Sequence, residues 1–241
     1  MFNEEFQIKM IYITGDTHRD FKRIIDFCEK NDTSHEDILV ILGDVGINYF
    51  LNESDYELKK MLSMLPITLF CLHGNHEERP FNTIGYEETK WHGATAYINP
   101  EFTNQVFAKD GEIYNLNGKR SLVLGGAYSV DKYYRIARGW HWFESEQPND
   151  EIKKYVEENL EKNNWEVDIV LSHTCPYDVM PRHLFLSSID QSTVDNSTEK
   201  WLQEIENKLD YKKWYFGHYH DYYVNGKFTM LYNDIIEFNK H

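Results

Sequence analysis

Five short apolar runs punctuate the chain, and each leads directly into a side chain able to bind metal. They are Ile11-Tyr12-Ile13-Thr14 before Asp16, Ile38 to Leu42 before Asp44, and Ile67 to Leu72 before Asn75. Ile169-Val170-Leu171 then precedes His173, and Trp214-Tyr215-Phe216 precedes His218. Runs that are continuous rather than alternating predict strands buried on both faces, as in a sheet covered by helices or by a second sheet. Helical spacing recurs between them at Phe21, Ile24, Ile25 and Cys28, at Leu58, Met61, Leu62 and Leu65, and at Ile152, Tyr155, Val156 and Leu160. Pro66 closes the second of these helices.

Asn117-Gly118 and Asn225-Gly226 each sit between strand-like segments and predict two hairpins, so antiparallel strands join the parallel ones. The least regular stretch, about 125–149, reads as an inserted loop, and no internal repeat is visible. A chain of 241 residues suits one domain over 1–241.

Charge and cysteine usage narrow the field. A net charge of −15 disfavours an extended footprint on duplex nucleic acid, which needs clustered Lys and Arg. Small anions remain admissible where bound metal reverses the local field. Cys28, Cys71 and Cys175 form no C-x-x-C pair, and an odd number cannot close a disulfide framework. The first ten residues carry Glu4 and Glu5 in place of a basic leader, and no run of about 18 apolar residues occurs. The expectation is a cytoplasmic protein with no membrane partner.

Polar residues placed just past several strands of one sheet converge at its edge. Asp16, His18, Asp44, Asn75, His173, His218 and His220 would then meet in space. Carboxylate and amide oxygens mixed with imidazoles suit first-row divalent ions, manganese foremost, with iron, zinc, nickel or cobalt as alternatives. Without thiolates a structural zinc site is disfavoured. Seven ligands exceed one tetrahedral ion and suit two ions roughly 3.5 to 4 Å apart, with Asp44 as candidate bridge. Two such ions activate a shared hydroxide and neutralise charge on phosphorus, which points to phosphate ester hydrolysis.

Gly15-Asp16-Thr17-His18, Gly43-Asp44, Gly74-Asn75-His76-Glu77, His173 and Gly217-His218-Tyr219-His220 together resemble, in order, the five signature blocks of calcineurin-like metallophosphoesterases. The resemblance implies a four-layer α-β-β-α sandwich of two mixed sheets flanked by helices. It also implies one metal among Asp16, His18, Asp44 and His220, and a second among Asp44, Asn75, His173 and His218. His76 would be catalytic, as a general acid to the leaving oxygen or as a stabiliser of the transition state. The phosphoprotein phosphatases of the superfamily extend the second block to G-D-x-V-D-R-G, whereas Asp44 here precedes Val45-Gly46-Ile47-Asn48. The phosphate-gripping arginine is absent, and Arg79 is the candidate to take over part of its role. The stretch Gly125 to Lys132, leading to Trp140 and Trp142, is similar to a segment of bacterial and phage metallophosphoesterases and suggests a nucleotide-related setting.

Tyr128, Lys132, Tyr133, Tyr134, Arg135, Arg138, Trp140 and Trp142 mix rings with cations, which suits stacking on a base and pairing with phosphate. Packing on the sheet edge or on a partner subunit is the competing use. If the loop touches substrate, Arg135 and Arg138 are its first candidates. His73 is expected to play a structural part, and His35, His92, His141, His183 and His241 surface or structural ones.

The expected function is therefore a phosphodiesterase acting on a nucleotide or a nucleic-acid end. A phosphomonoesterase or protein phosphatase is the alternative within enzymes, and a metal-retaining interaction scaffold the alternative outside them. Substrate choice is expected to lie in loops 79–93 and 125–149. An oligomer is possible.

Overall fold

The computed structural model describes residues 10–238. His241 and the Glu4/Glu5 segment lie outside them. All five apolar runs form strands: β1 (Ile11–Thr14), β2 (Ile38–Ile41), β3 (Thr68–Cys71), β9 (Ile169–Ser172) and β10 (Lys213–Phe216). The first three are parallel neighbours in one sheet, and β9 and β10 are parallel neighbours in another.

Both sheets are mixed. The seven-stranded sheet runs β13 (Ile236–Glu237), β1, β2, β3, β6 (Gln105–Ala108), β5 (Ala94–Ile98), β4 (Glu87–Trp91). The six-stranded sheet runs β11 (Tyr223–Asn225), β12 (Phe228–Met230), β10, β9, β8 (Lys119–Leu124), β7 (Ile113–Leu116). Parallel strands form the centre of each, and antiparallel strands finish the edges. The expected hairpins are β7–β8 and β11–β12. At the first, Asn117 and Gly118 both take positive φ, 51° and 75°, which is the turn that matches strand twist.

Strand pleating explains why the runs are apolar without interruption. Along β2 and just beyond it, Ile38, Val40 and Leu42 point into a cluster shared with Val123, Ile169, Leu171 and Tyr215 of the other sheet. Leu39 and Ile41 point the opposite way, onto Ile24 and Cys28 of α1 (Lys22–Asn31) and Leu62 of α2 (Glu53–Leu62). Side chains alternate across a strand, so both alternating sets must be apolar when both faces are covered. The second sheet packs its outer face, Leu122, Val170, Trp214 and Phe216, on α4 (Asp150–Lys162) and α5 (Ser197–Glu206). The order of layers is helix, sheet, sheet, helix.

Asn52 and Asn149 cap α2 and α4 by accepting from the backbone N–H of Ser54 and Ile152, worth about 1 kcal/mol each. Helix α2 ends at Leu62, short of the expected Pro66, and Leu65 is buried beyond it.

Several elements departed from expectation. The region 79–93 carries β4, whose face is largely polar and exposed and so gave no hydrophobic signal. The region 125–149 contains the helix α3 (Lys132–Arg138) and a 3-10 turn at Glu144–Glu146. No helix among the described residues is long and apolar enough to cross a membrane.

Candidate metal centre

The C-terminal ends of β1, β2, β3, β9 and β10 bring all seven residues of the expected ligand set to one place, because parallel strands deliver the residues that follow them to a common edge. Nε2 of His220 and Nε2 of His18 lie 3.2 and 3.7 Å from Asp16 Oδ2, and 2.9 Å from each other. Asp44 faces both halves of the group: its Oδ2 is 3.8 Å from His18 Nε2 and its Oδ1 is 3.6 Å from His173 Nε2. His173 Nε2 in turn sits 2.8 Å from Asn75 Oδ1. His218 stacks edge-on to His173 at 5.0 Å between ring centroids and lines a cavity together with Asp44, Asn75, His76 and His220.

Backbone hydrogen bonds hold the carboxylates. Asp44 Oδ1 accepts from the His76 N–H at 2.7 Å, and Asp16 Oδ1 from the His218 N–H at 3.0 Å. Four of the seven residues occupy the left-handed region: His18 (φ 45°), Asp44 (46°), His218 (69°) and His220 (56°). Each costs on the order of 1 kcal/mol or more and persists only where surrounding structure enforces it. The glycines of the motifs are small for a reason of space. A Cβ at Gly74 would lie 2.1 Å from the Asp44 backbone nitrogen, and one at Gly217 would lie 2.4 Å from Asp16 Oδ1.

Electrostatics match this crowding. Burial works to raise the Asp16 carboxyl, yet His220, His173 and His18 outweigh it and leave it below its ordinary value. Burial likewise works to raise the Asp44 carboxyl, and His76, His173 and His18 outweigh it and leave it far below its ordinary value. Burial, with the His173 ring beside it, pushes His218 down to about 3.

The donor set fits divalent cations on an observation of its own. His173 Nδ1 lies 2.7 Å from the Leu42 carbonyl, which can only accept, so Nδ1 carries the hydrogen and Nε2 presents a lone pair. Asn75 gives its amide N–H to Ser129 Oγ at 2.9 Å, which turns its carbonyl oxygen toward that lone pair. Two acceptors thus face each other at 2.8 Å. The buried Asp16 Oδ2 has no hydrogen-bond partner among the described residues. A cation relieves both conflicts. Among the described residues, three groups place all their ligand atoms within 4.8 Å of one another: Asp16-His18-His220, His18-Asp44-His76 and Asp16-Asp44-His173.

The family model for calcineurin-like phosphoesterases matches residues 9–222. The chain belongs to that family. This calcineurin-like phosphoesterase is accordingly a hydrolase of phosphoester bonds that uses metal, and its carboxylate and histidine cluster suits a dinuclear divalent site. No curated protein sequence matches it. Among the solved structures similar to it is a crystal structure at 13% identity, over 92% of this chain and 89% of that one, with a TM-score of 0.48.

The expected catalytic residue, His76, lies beside the cluster, its ring centroid 5.3 Å from that of His18. Its Nδ1 accepts from Arg135 Nη2 at 2.5 Å, and its Nε2 is 4.0 Å from Asp131 Oδ1. Burial pushes the His76 imidazole below its ordinary value; Asp44 opposes this and the Arg135 cation adds to it.

The three arginines expected at the substrate end up in different places. Arg135 is buried and engaged with His76, with Asp131 Oδ2 at 3.0 Å and with the His141 carbonyl at 2.9 Å. Arg138 is exposed and lies over the Tyr134 ring at 5.1 Å. Arg79 is 3% exposed, pairs with Asp110 at 2.5 Å, and lines a second cavity with His73 and Tyr97. The structure therefore brings neither Arg79 nor Arg138 to the cluster. The Arg79 head is turned to Asp110 and the Ser145 carbonyl, and the Arg138 head to the Tyr134 ring.

Four supporting residues were missed. Arg23 Nη2 donates to the carbonyls of Gly15, Asp16 and Tyr232, fixing the turn after β1. Glu77 accepts from the N–H groups of Val45, Gly46 and Gly74, tying the turn after β2 to the one after β3. Burial and the neighbouring Asp44 push it up to about 8. Ser129 orients Asn75, and Asp131 orients Arg135. Glu77 stands within a recognised block, and Ser129 and Asp131 within the Gly125 to Lys132 stretch, so position gave a signal for them; for Arg23 there was none.

Proposed function

We propose that this protein is a phosphodiesterase that hydrolyses a nucleotide-type ester at a dinuclear centre formed by Asp16, His18, Asp44, Asn75, His173, His218 and His220. The observation that carries the reading is the facing of lone pairs around two carboxylates, with Asp44 directed to both halves. Manganese is the first candidate metal. The bound ions would supply Lewis acidity, activating water and neutralising charge that develops on phosphorus.

The protein's own residues divide the remaining work. Asp44 holds the two halves together, and Asn75, oriented by Ser129, presents its carbonyl oxygen. His76 carries its proton on Nε2, because Arg135 occupies Nδ1 with a donor that is never lost. An imidazolium needs hydrogens on both nitrogens, so this contact favours a neutral ring. His76 therefore serves as a hydrogen-bond donor to an oxygen of the transition state, a contribution on the order of 10² in rate.

The test compares para-nitrophenyl phosphate with bis-para-nitrophenyl phosphate, using protein stripped of metal and resupplied with manganese, with Asp44→Asn as control. Faster turnover of the diester supports the reading. Faster turnover of the monoester replaces it with a phosphatase, and metal binding without turnover of either ester leaves the scaffold reading in its place.

A further inference from the structure

A cavity of about 420 Å³ opens beside the cluster. One wall is the site itself, with Asp44, Asn75, His76, His218 and His220. The segment after β9 supplies apolar lining: Met180, Leu184, Phe185, Leu186, Ile189 and Val194. Tyr128 and Tyr219 add two further rings. This volume falls in the range of small-molecule sites, roughly 300–1,000 Å³.

Charge decides what can enter. Among the described residues no Lys or Arg lines the cavity, and its acidic side chains away from the cluster are Asp131, Asp195 and Glu199. A second phosphate placed there would lose its hydration with no cation of the lining in return, and would meet the acidic Asp195. An uncharged ring system meets the opposite conditions, with apolar surface to cover it and aromatic faces to stack on. Polar groups line it too. Glu199, 3% exposed, accepts the Thr174 hydroxyl on Oε1 at 2.8 Å, while Oε2 has no hydrogen-bond partner among the described residues. Gln191 and Asn196 line the cavity as well. An acyl chain would leave these groups unused, whereas the edge of a base, with its N–H donors, would engage them.

We infer that this cavity holds the nucleoside part of a substrate carrying a single phosphorus centre, and that it selects against substrates with a further phosphate on the nucleoside. The inference rests on the phosphodiesterase reading and adds to it what the non-reacting ester group is. The apolar segment after β9, rather than the arginines of α3, then sets specificity.

The experiment compares two diesters with the same leaving group: the para-nitrophenyl ester of a nucleoside monophosphate and para-nitrophenyl methyl phosphate. The expected result is a kcat/KM about 30-fold higher for the nucleoside ester, and a loss of most of that ratio in Ile189→Asp or Leu186→Asp. A further phosphate on the nucleoside should lower kcat/KM by about tenfold or more. Binding of the free nucleoside to metal-stripped protein, followed by saturation-transfer NMR, gives a readout independent of turnover and should weaken in the same variants. Equal kcat/KM for the two diesters, or no nucleoside binding, overturns the inference and leaves the phosphodiesterase reading standing. If neither diester is cleaved while para-nitrophenyl phosphate is, the diesterase reading falls; a nucleoside monophosphate no better cleaved than glycerol phosphate would then overturn the cavity assignment as well.

Discussion

Arg135 donates to His76 Nδ1 across 2.5 Å, and this contact fixes which ring nitrogen carries the proton. Replacing the guanidinium by an apolar side chain of similar length removes that constraint. Arg135→Met should populate both neutral tautomers of His76, visible as a change in the imidazole nitrogen shifts, and should lower kcat roughly tenfold, less than full loss of the donor. A variant with full activity and an unchanged tautomer would remove the assigned role.

Loss of the ring itself should separate chemistry from metal binding. His76→Ala is expected to keep its metal and lose turnover by about 10² to 10³. Asp44→Asn should lose both, since Asp44 faces both halves of the cluster. Metal content of the purified proteins is the measurement, and a metal-free His76→Ala would count against the division.

Metal addition should stabilise the fold. Ions that bind only the native state add about 2.7 kcal/mol at a hundredfold excess over Kd. The midpoint of thermal unfolding should therefore rise with manganese in the native sequence and rise much less in Asp44→Asn; equal shifts in both would place the ions elsewhere.

Two glycines with positive or crowded backbones should respond very differently to alanine. At Gly74 the added Cβ would sit 2.1 Å from the Asp44 nitrogen, so Gly74→Ala should cost about 3 kcal/mol or more and disturb the metal ligands. At Gly93, φ is +84° with nothing within 4 Å of the added carbon, so the cost should be only about 1 kcal/mol of backbone strain. Urea denaturation of the two variants gives the comparison.

Burial raises Glu199 from an ordinary value of 4.5 to about 7 in the folded protein. A raised folded value favours the protonated form, so the stability it contributes is complete below about pH 4.5 and is lost as pH rises through about 7. Glu199→Gln stays neutral and keeps an oxygen for the Thr174 hydroxyl. It should gain on the native sequence by up to about 3 kcal/mol between acid and alkaline pH, read from urea denaturation of metal-free protein. A difference that does not change with pH would show that Glu199 does not titrate as described.

The legible part of the fold followed from local chemistry. Continuous apolar runs marked β1, β2, β3, β9 and β10, and Asn-Gly pairs marked two hairpins, because strand burial and turn geometry act over a few residues. Strand β4 was not legible, since an exposed edge strand has no apolar set to show. Helix α5 was missed for a different reason. Its apolar residues, Trp201, Leu202 and Ile205, are few and become meaningful only against Val170 and Trp214 of the sheet they cover.

By itself, the sequence determined the inventory of the cluster: which residues carry atoms able to bind metal, and that they follow buried strands. Those facts sit within single segments of chain. Only the tertiary structure decided that β1 to β3 and β9 to β10 belong to two sheets whose ends meet, that His18, Asp44, His218 and His220 adopt left-handed backbone, and that Arg135 serves His76 while Arg79 serves Asp110. A cation pairs with whichever buried acceptor folding brings nearest, and distance in space, unlike spacing along the chain, exists only once the layers have packed.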